Sequence, residues 1–233
     1  MWGLDDPDTG RLRAAVFHGG NLIPVGNDPA ALQSLAEFLS HGARGCSSIV
    51  GDADAVAAMW PTLSRGWGTA RAIRDSQPLL ASSALAPVSS DPRVRTARTS
   101  DARSFLPAAV AMFTEELGVS PIGADHGVGY RQRVDDVIAS GRAYVRLDAG
   151  GRVEFKAEIG ALSTTTAQVQ GVWVRPELRG HGLGTRAMAA VLRLALHRAP
   201  TVSLYVNDFN IPARRMYERL GMVQVGTLRT VLF

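Results

Sequence analysis

The chain has 233 residues, 46% of them apolar, a formal net charge of +4 and one cysteine, Cys46. That supports one large or two small cored domains, and it excludes disorder, a collagen-like repeat, an internal disulfide and a cysteine-rich metal site. Every basic residue except Lys156 is an arginine, and these are spread among Asp and Glu without runs, so the charge reads as solvated surface and no nucleic-acid partner is expected. No apolar stretch is long enough to span a membrane, and the acidic start "MWGLDDPD" is unlike a secretory leader, so a soluble, cytoplasmic protein with no membrane partner is expected. Cys46 reads as a small buried apolar residue.

In the first half, "LRAAVFHG" and "NLIPVG" read as strands around a Gly-Gly-Asn turn. A helix follows in "PAALQSLAEFLSHG", then a strand "SSIVG", a helix starting after Asp52, and the segment "TARAIRDSQPLL". Residues 77–101 are rich in Ser, Ala and Pro without a clear period and read as a linker, which sets a boundary near Ser90 between a smaller α/β domain (1–89) and a larger one (90–233).

In the second half, "VRTAR" reads as a short strand. Ser100 or Asp101 caps a helix that carries Phe105, Leu106, Ala109, Val110, Phe113 and Leu117 on one side. A second helix runs from Tyr130 to Ala139 and stops at Gly141. "AYVRL", "VEFKAEIGAL" and "AQVQGVWV" read as consecutive antiparallel strands, with a turn at "DAGG". After the glycine-rich "RGHGLG" come a helix to about His197, the strand "TVSLYV", a short helix from Ile211 to Leu220 ending at Gly221, and a strand from Met222. The fold class is therefore α/β (α+β mixed sheet). The first half repeats part of this order, but "GNDPAAL" stands where "RGHGLG" would be, so it is at most a degenerate copy.

Three glycines in the six residues of "RGHGLG" open a helix, where bare backbone amides and a partial positive charge suit an anion. A Walker loop is excluded because no Gly-Lys-Ser or Gly-Lys-Thr follows. Gly182, Gly184 and Ala187 fit the dinucleotide fingerprint, with Asp208 beyond the next strand. Against it, Pro176, Glu177, Leu178 and Arg179 separate the preceding strand from the glycines.

A third reading accounts for more residues. Arg179, Gly182 and Gly184 match Arg-x-x-Gly-x-Gly, and "NIPARRMYERLGM" places Asn210, Ala213, Tyr217 and Gly221 at the intervals of a second signature. In these motifs the chain, from about Arg93 to its end, resembles the GNAT family of acyl-CoA-dependent N-acetyltransferases. The resemblance implies the GNAT acyl-CoA-binding fold in the C-terminal domain and acetyl-CoA as co-substrate. The amides of Gly180, His181, Gly182, Leu183, Gly184 and Thr185 would hold the pyrophosphate, with Arg179 or Arg175 adding charge. It also implies that the "QVQGVWV" strand parts from "TVSLYV", with the backbone of Val172, Trp173 and Val174 binding pantetheine and Gly171 marking a bulge there. Asn210 either caps the short helix or reaches the cofactor.

Tyr217 belongs to an apolar stripe with Ile211, Ala213, Met216 and Leu220, which reads as packing. The resemblance makes it instead the acid that protonates the departing thiolate. The base is open: Gln168 and Gln170 cannot accept a proton, and Glu154 and Glu158, which alternate on one strand face, read as surface charges, as do Glu115, Glu116 and the Phe233 carboxylate. His126 and His181 lie in no metal-binding pattern, so no metal is expected. Residues 118–133, with Asp125, His126 and Tyr130, are expected to border the acceptor.

The expected function is direct transfer of an acetyl group to a primary amine, on a small molecule or a protein. The alternative is a catalytically silent acyl-CoA-binding or sensor protein. The N-terminal half is expected to cover the acceptor pocket or to serve in homodimerisation.

Overall fold

The computed structural model describes residues 1–123 and 125–233. The chain packs as two compact units: one of Met1–Leu79, Tyr205–Asn210 and Gln224–Phe233, the other of Leu80–Leu204 and Ile211–Val223. Among the described residues no helix is long and apolar enough to cross a membrane.

In the first unit the strands are β1 (Trp2–Asp5), β2 (Leu12–His18), β3 (Asn21–Val25), β4 (Ser48–Asp52), β5 (Ala72–Ser82) and β11 (Val223–Leu232), ordered β1-β2-β3-β4-β11-β5. Helix α1 (Pro29–Ser40) carries the chain from β3 to its parallel partner β4, and α2 (Ala53–Trp67) follows β4. Both helices start on an aspartate: Asp28 accepts from the amides of Ala30 and Ala31, Asp52 from those of Asp54 and Ala55. Each cap satisfies donors that the helix itself cannot. Leu32, Leu35 and Ala36 of α1 meet Val56, Met59 and Leu63 of α2 over Val16, Leu22 and Ile49 of the sheet, and Cys46 is buried in the same core, as expected. Gly66 is required where α2 lies against the Ser40 carbonyl of α1.

Two readings of this half change. Trp2–Asp5, taken only as an acidic start, pairs antiparallel with β2. The expected linker begins later than Gln77, because β5 runs through Ser82: Gln77 is 1% exposed, accepts from Thr230 Oγ1 and donates to Asn207 Oδ1 at 2.9 Å. The Ser/Ala/Pro composition does not reveal this, because Gln77 is polar and the partners that bury it, Thr230 and Asn207, lie far away in the sequence.

In the second unit β6 (Arg95–Thr96), β7 (Ala143–Leu147), β8 (Val153–Leu162), β9 (Thr166–Val174) and β10 (Thr201–Tyr205) lie in the order β10-β9-β8-β7-β6. β7, β8 and β9 pair antiparallel in turn, as the sequence predicts, β6 pairs antiparallel with β7, and β9 runs parallel to β10. The helices are α3 (Ala102–Leu117), α4 (Val128–Ala139), α5 (Leu183–Leu196) and α6 (Ile211–Arg219). Gly118, left-handed at φ 70°, ends α3. Phe105, Ala108 and Ala109 of α3 and Val134, Val137 and Ile138 of α4 cover one face, over Val145, Val153 and Trp173. Residues 153–159 of β8 are buried without a break, so the opposite face is covered too, and α5 packs there against β8 and β9 with Ala187, Met188, Val191 and Leu192 inward. Each fully buried Leu, Val or Met contributes about 1.5–3 kcal/mol.

Candidate functional site

Pairing between β9 and β10 covers Thr201↔Thr166, Val202↔Ala167 and Ser203↔Gln168 and then stops, so the two strands separate beyond Gln168. On its other edge β9 carries a bulge. Trp173 pairs with Lys156 and Gln170 with Glu158, which leaves Gly171 and Val172 opposite Ala157 alone. Gly171 sits at φ 59°, which glycine adopts freely. The bulge therefore lies where β9 has left β10, as the resemblance implied.

Beyond β9, a short 3-10 turn over Pro176–Leu178 leads through Arg179 and Gly180 to Gly182, the N-cap of α5. Gly180 and Gly182 have φ of 79° and 73°. No side chain caps α5, in contrast to α1 and α2, and the first hydrogen bond of the helix is Arg186 N to Gly182 O at 3.2 Å. The amides of Leu183, Gly184 and Thr185 thus point out of the helix end. Gly184 is there for space, since a methyl group would come within 3.3 Å of Val174 Cγ2 and 3.4 Å of Met216 Sδ. In the first unit, Asp28 accepts from the amides of Ala30 and Ala31 at the corresponding end of α1, so those donors already have an acceptor.

The flanking arginines already have partners. Arg179 donates through Nε to the Val174 carbonyl (2.8 Å) and through Nη2 to Glu115 (2.7 Å), whose other oxygen accepts from Trp173 Nε1 (3.1 Å). These bonds tie the end of α3 to the end of β9 and occupy one of the expected pantetheine-binding carbonyls. Arg175 donates to Asp148 at 2.9 Å and faces Glu154 at 3.7 Å. The Arg152 amide and then Arg175 hold the Asp148 carboxyl down to about 2.

Tyr217 is 5% exposed on α6, and burial pushes its phenol well above the usual range, with the Glu116 charge adding to the rise. Packed and proton-holding, it meets the physical demands of both readings. Asn210 belongs to the first unit, where its amide donates to Asn207 O at 3.0 Å. Phe233 is also in the first unit, packed on Trp60 and Trp67 with the Arg44 guanidinium 4.1 Å above its ring.

The reading of Glu154 and Glu158 as surface charges on one face is wrong on both counts. Arg146 of β7 pairs with Phe155 but Leu147 with Val153, so Glu154 is an extra residue on β8 and the alternation resets there. Glu154 joins Arg146 (3.3 Å) and Arg175, whereas Glu158, 0% exposed, is held at 2.6 Å by both Lys156 Nζ and Arg133 Nη2. Lys156 is itself 0% exposed and lies 5.0 Å from the centre of the Phe105 ring. A methyl group on Gly171 would come within 3.1 Å of Lys156 Nζ and 3.6 Å of Glu158 Cδ, so this charge cluster lies directly against the bulge.

Burial pulls the Lys156 ammonium below its usual range against the pull of Glu158. Burial alone would raise Glu158, but Lys156 and Arg133 outweigh it and hold that carboxyl low. With both oxygens occupied by cations, Glu158 is a poor proton acceptor. The sequence signal for this cluster was the one lysine of an arginine-rich chain, set in an apolar strand.

Asp125 caps the turn before α4 with both oxygens on the amides of Gly127 and Gly129, and His126 is held at φ 53°. Tyr130 donates to the Ala109 carbonyl at 3.0 Å, and burial pushes its phenol to about 12. Ala124, within the stretch expected to border the acceptor, lies outside the described residues. Among the described residues no group of His, Cys, Asp and Glu is placed to hold a metal ion.

Residues 105–222 match the Acetyltransferase (GNAT) family, which is half of the chain and contains both signatures, the bulge and the uncapped helix end. The chain belongs to the GNAT family. Residues 1–105 match a domain of unknown function, DUF4081. No curated protein matches the chain. Among solved structures, a GNAT acetyltransferase from Colwellia psychrerythraea is similar over 99% of this chain and 84% of its own, with TM-score 0.60 and 13% identity. A GCN5-related N-acetyltransferase from Kribbella flavida covers 91% and 80% with TM-score 0.55 and 18% identity. A tandem GNAT protein from the clavulanic acid biosynthesis pathway covers 96% and 80% with TM-score 0.52 and 15% identity. At such identities these neighbours establish the fold, and the GNAT fold is what the motifs implied.

Proposed function

We propose that this GNAT protein is an N-acetyltransferase that moves an acetyl group from acetyl-CoA to a primary amine by direct transfer in a ternary complex. The observation that carries the reading is the uncapped, glycine-lined end of α5 next to a strand pair that separates at Gln168. Acetyl-CoA supplies the thioester-activated acetyl group. The amides of residues 180–185 receive its pyrophosphate, and the gap beside Val172, Trp173 and Val174 receives pantetheine. An amide at the bulge polarises the thioester carbonyl.

Tyr217 donates to the departing sulfur. Its raised pKa does not spoil the match, because burial that holds a phenol protonated raises a thiol in the same place as well. The incoming amine attacks in its neutral form, and the proton that its nitrogen loses on becoming an amide goes to water, which restores the Tyr217 phenol, since Gln168 and Gln170 cannot take it and Glu158 is held by two cations.

That missing base also favours a second reading, a catalytically silent acyl-CoA-binding or sensor protein. Thiol release from acetyl-CoA across a panel of amines separates the two. The enzyme releases thiol in an amine-dependent way, and Tyr217→Phe lowers kcat by roughly 100-fold or more with little change in KM. Tight acetyl-CoA binding with no amine-dependent release overturns the enzyme reading.

A further inference from the structure

The cluster against the Gly171 bulge contains more positive than negative charge. Lys156 and Arg133 share the single carboxylate of Glu158, both at 2.6 Å. Arg133 uses Nη2 for that bond, while Nη1 is buried and meets no acceptor in the protein. Its guanidinium is anchored in place rather than free to swing, because Glu158 fixes one side and the Tyr130 ring lies 5.8 Å away on α4. The side chain as a whole is 39% exposed, and a planar, permanently charged fork with one nitrogen unused is suited to a carboxylate that reaches it from the open side.

The position decides what that carboxylate belongs to. Glu158 Cδ is 3.6 Å from where a side chain at Gly171 would begin, so Arg133 sits one ion pair away from the bulge at which the thioester carbonyl is held in the reading above.

We propose that the acceptor is amino-acid-like, a primary amine with a carboxylate a few bonds away, and that Arg133 binds this carboxylate through its unused edge. This rests on the acetyltransferase reading and narrows its substrate class. Ordinary amines lack the group that completes Arg133. Protein side-chain amines, flanked by neutral peptide bonds, lack it too.

The test uses the full chain, saturating acetyl-CoA and matched acceptors: free amino acids, their carboxamides and the amines left by removing the carboxylate. Thiol release should favour each free amino acid over its carboxamide by on the order of 10- to 100-fold in kcat/KM, mostly through KM. Arg133→Met should collapse that ratio toward one, and Arg133→Lys, which keeps the charge without the fork, should restore part of it. Glu158 keeps Lys156 in either variant, and thermal melts establish that both fold. Equal rates for acids and carboxamides in the unaltered protein, or a ratio unchanged in Arg133→Met, overturn the inference while leaving the acetyltransferase reading intact. Release with none of the acceptors overturns both.

Discussion

Gly171→Ala tests whether the bulge is as tightly built as its surroundings indicate. An alanine held at φ 59° costs about 1–2 kcal/mol in backbone strain alone. Its methyl would lie 3.1 Å from Lys156 Nζ and 3.3 Å from Met112 Cε. The ammonium cannot retreat without lengthening its 2.6 Å bond to Glu158, so overpacking adds about 1–3 kcal/mol. Together the substitution should destabilise by roughly 2–5 kcal/mol, and at about 3 °C per kcal/mol for a chain of this size the melting temperature should fall by roughly 6–15 °C.

Gly180→Ala is the internal control. It has a similar φ of 79° and nothing within 4 Å of the added methyl, so only the backbone cost of about 1–2 kcal/mol applies. Differential scanning fluorimetry gives both shifts, and thiol release gives the rates. Gly171→Ala should lower kcat by displacing the bulge amides, and Gly180→Ala should act chiefly on KM for acetyl-CoA. If the two variants melt within about 2 °C of each other, the crowding at Lys156 that underlies this picture of the bulge is refuted.

Removing the cap of α2 with Asp52→Ala should cost about 1 kcal/mol, seen as an earlier urea midpoint with an unchanged slope, because the amides of Asp54 and Ala55 lose their acceptor. The pH dependence of stability should carry a signature of Asp148. Its folded pKa, about 2, lies below the ordinary 3.8, so its contribution is fully present above pH 4 and is lost as pH falls toward 2. Asp148→Asn should therefore flatten the acid limb of the stability curve in that window and leave the curve above pH 5 parallel to that of the unaltered protein. An acid limb of unchanged steepness counts against the Arg152 and Arg175 contacts as its cause.

Much of this protein is written in short-range chemistry. Glycines at φ 73° and 79° ahead of Leu183, aspartates before α1 and α2, and alternation in β7, β8 and β9 act within a few residues of themselves, and the sequence alone therefore determined the helix ends, the antiparallel strands and the glycine-lined, uncapped end of α5. Together with the spacing of Tyr217 and Gly221, they also determined the family. What covers a strand is a different matter. Glu154, Lys156 and Glu158 alternate with apolar neighbours in the same way whether water or a helix lies over them. Only the packing of α3 and α4, with one extra residue in β8, decided that Glu158 is buried against the bulge while Glu154 joins Arg146. The same holds for Gln77 and for β11, which pairs with β4 across 176 residues of sequence from Leu228 to Asp52. Such choices depend on contacts between residues far apart in the chain, and tertiary structure alone brings them together.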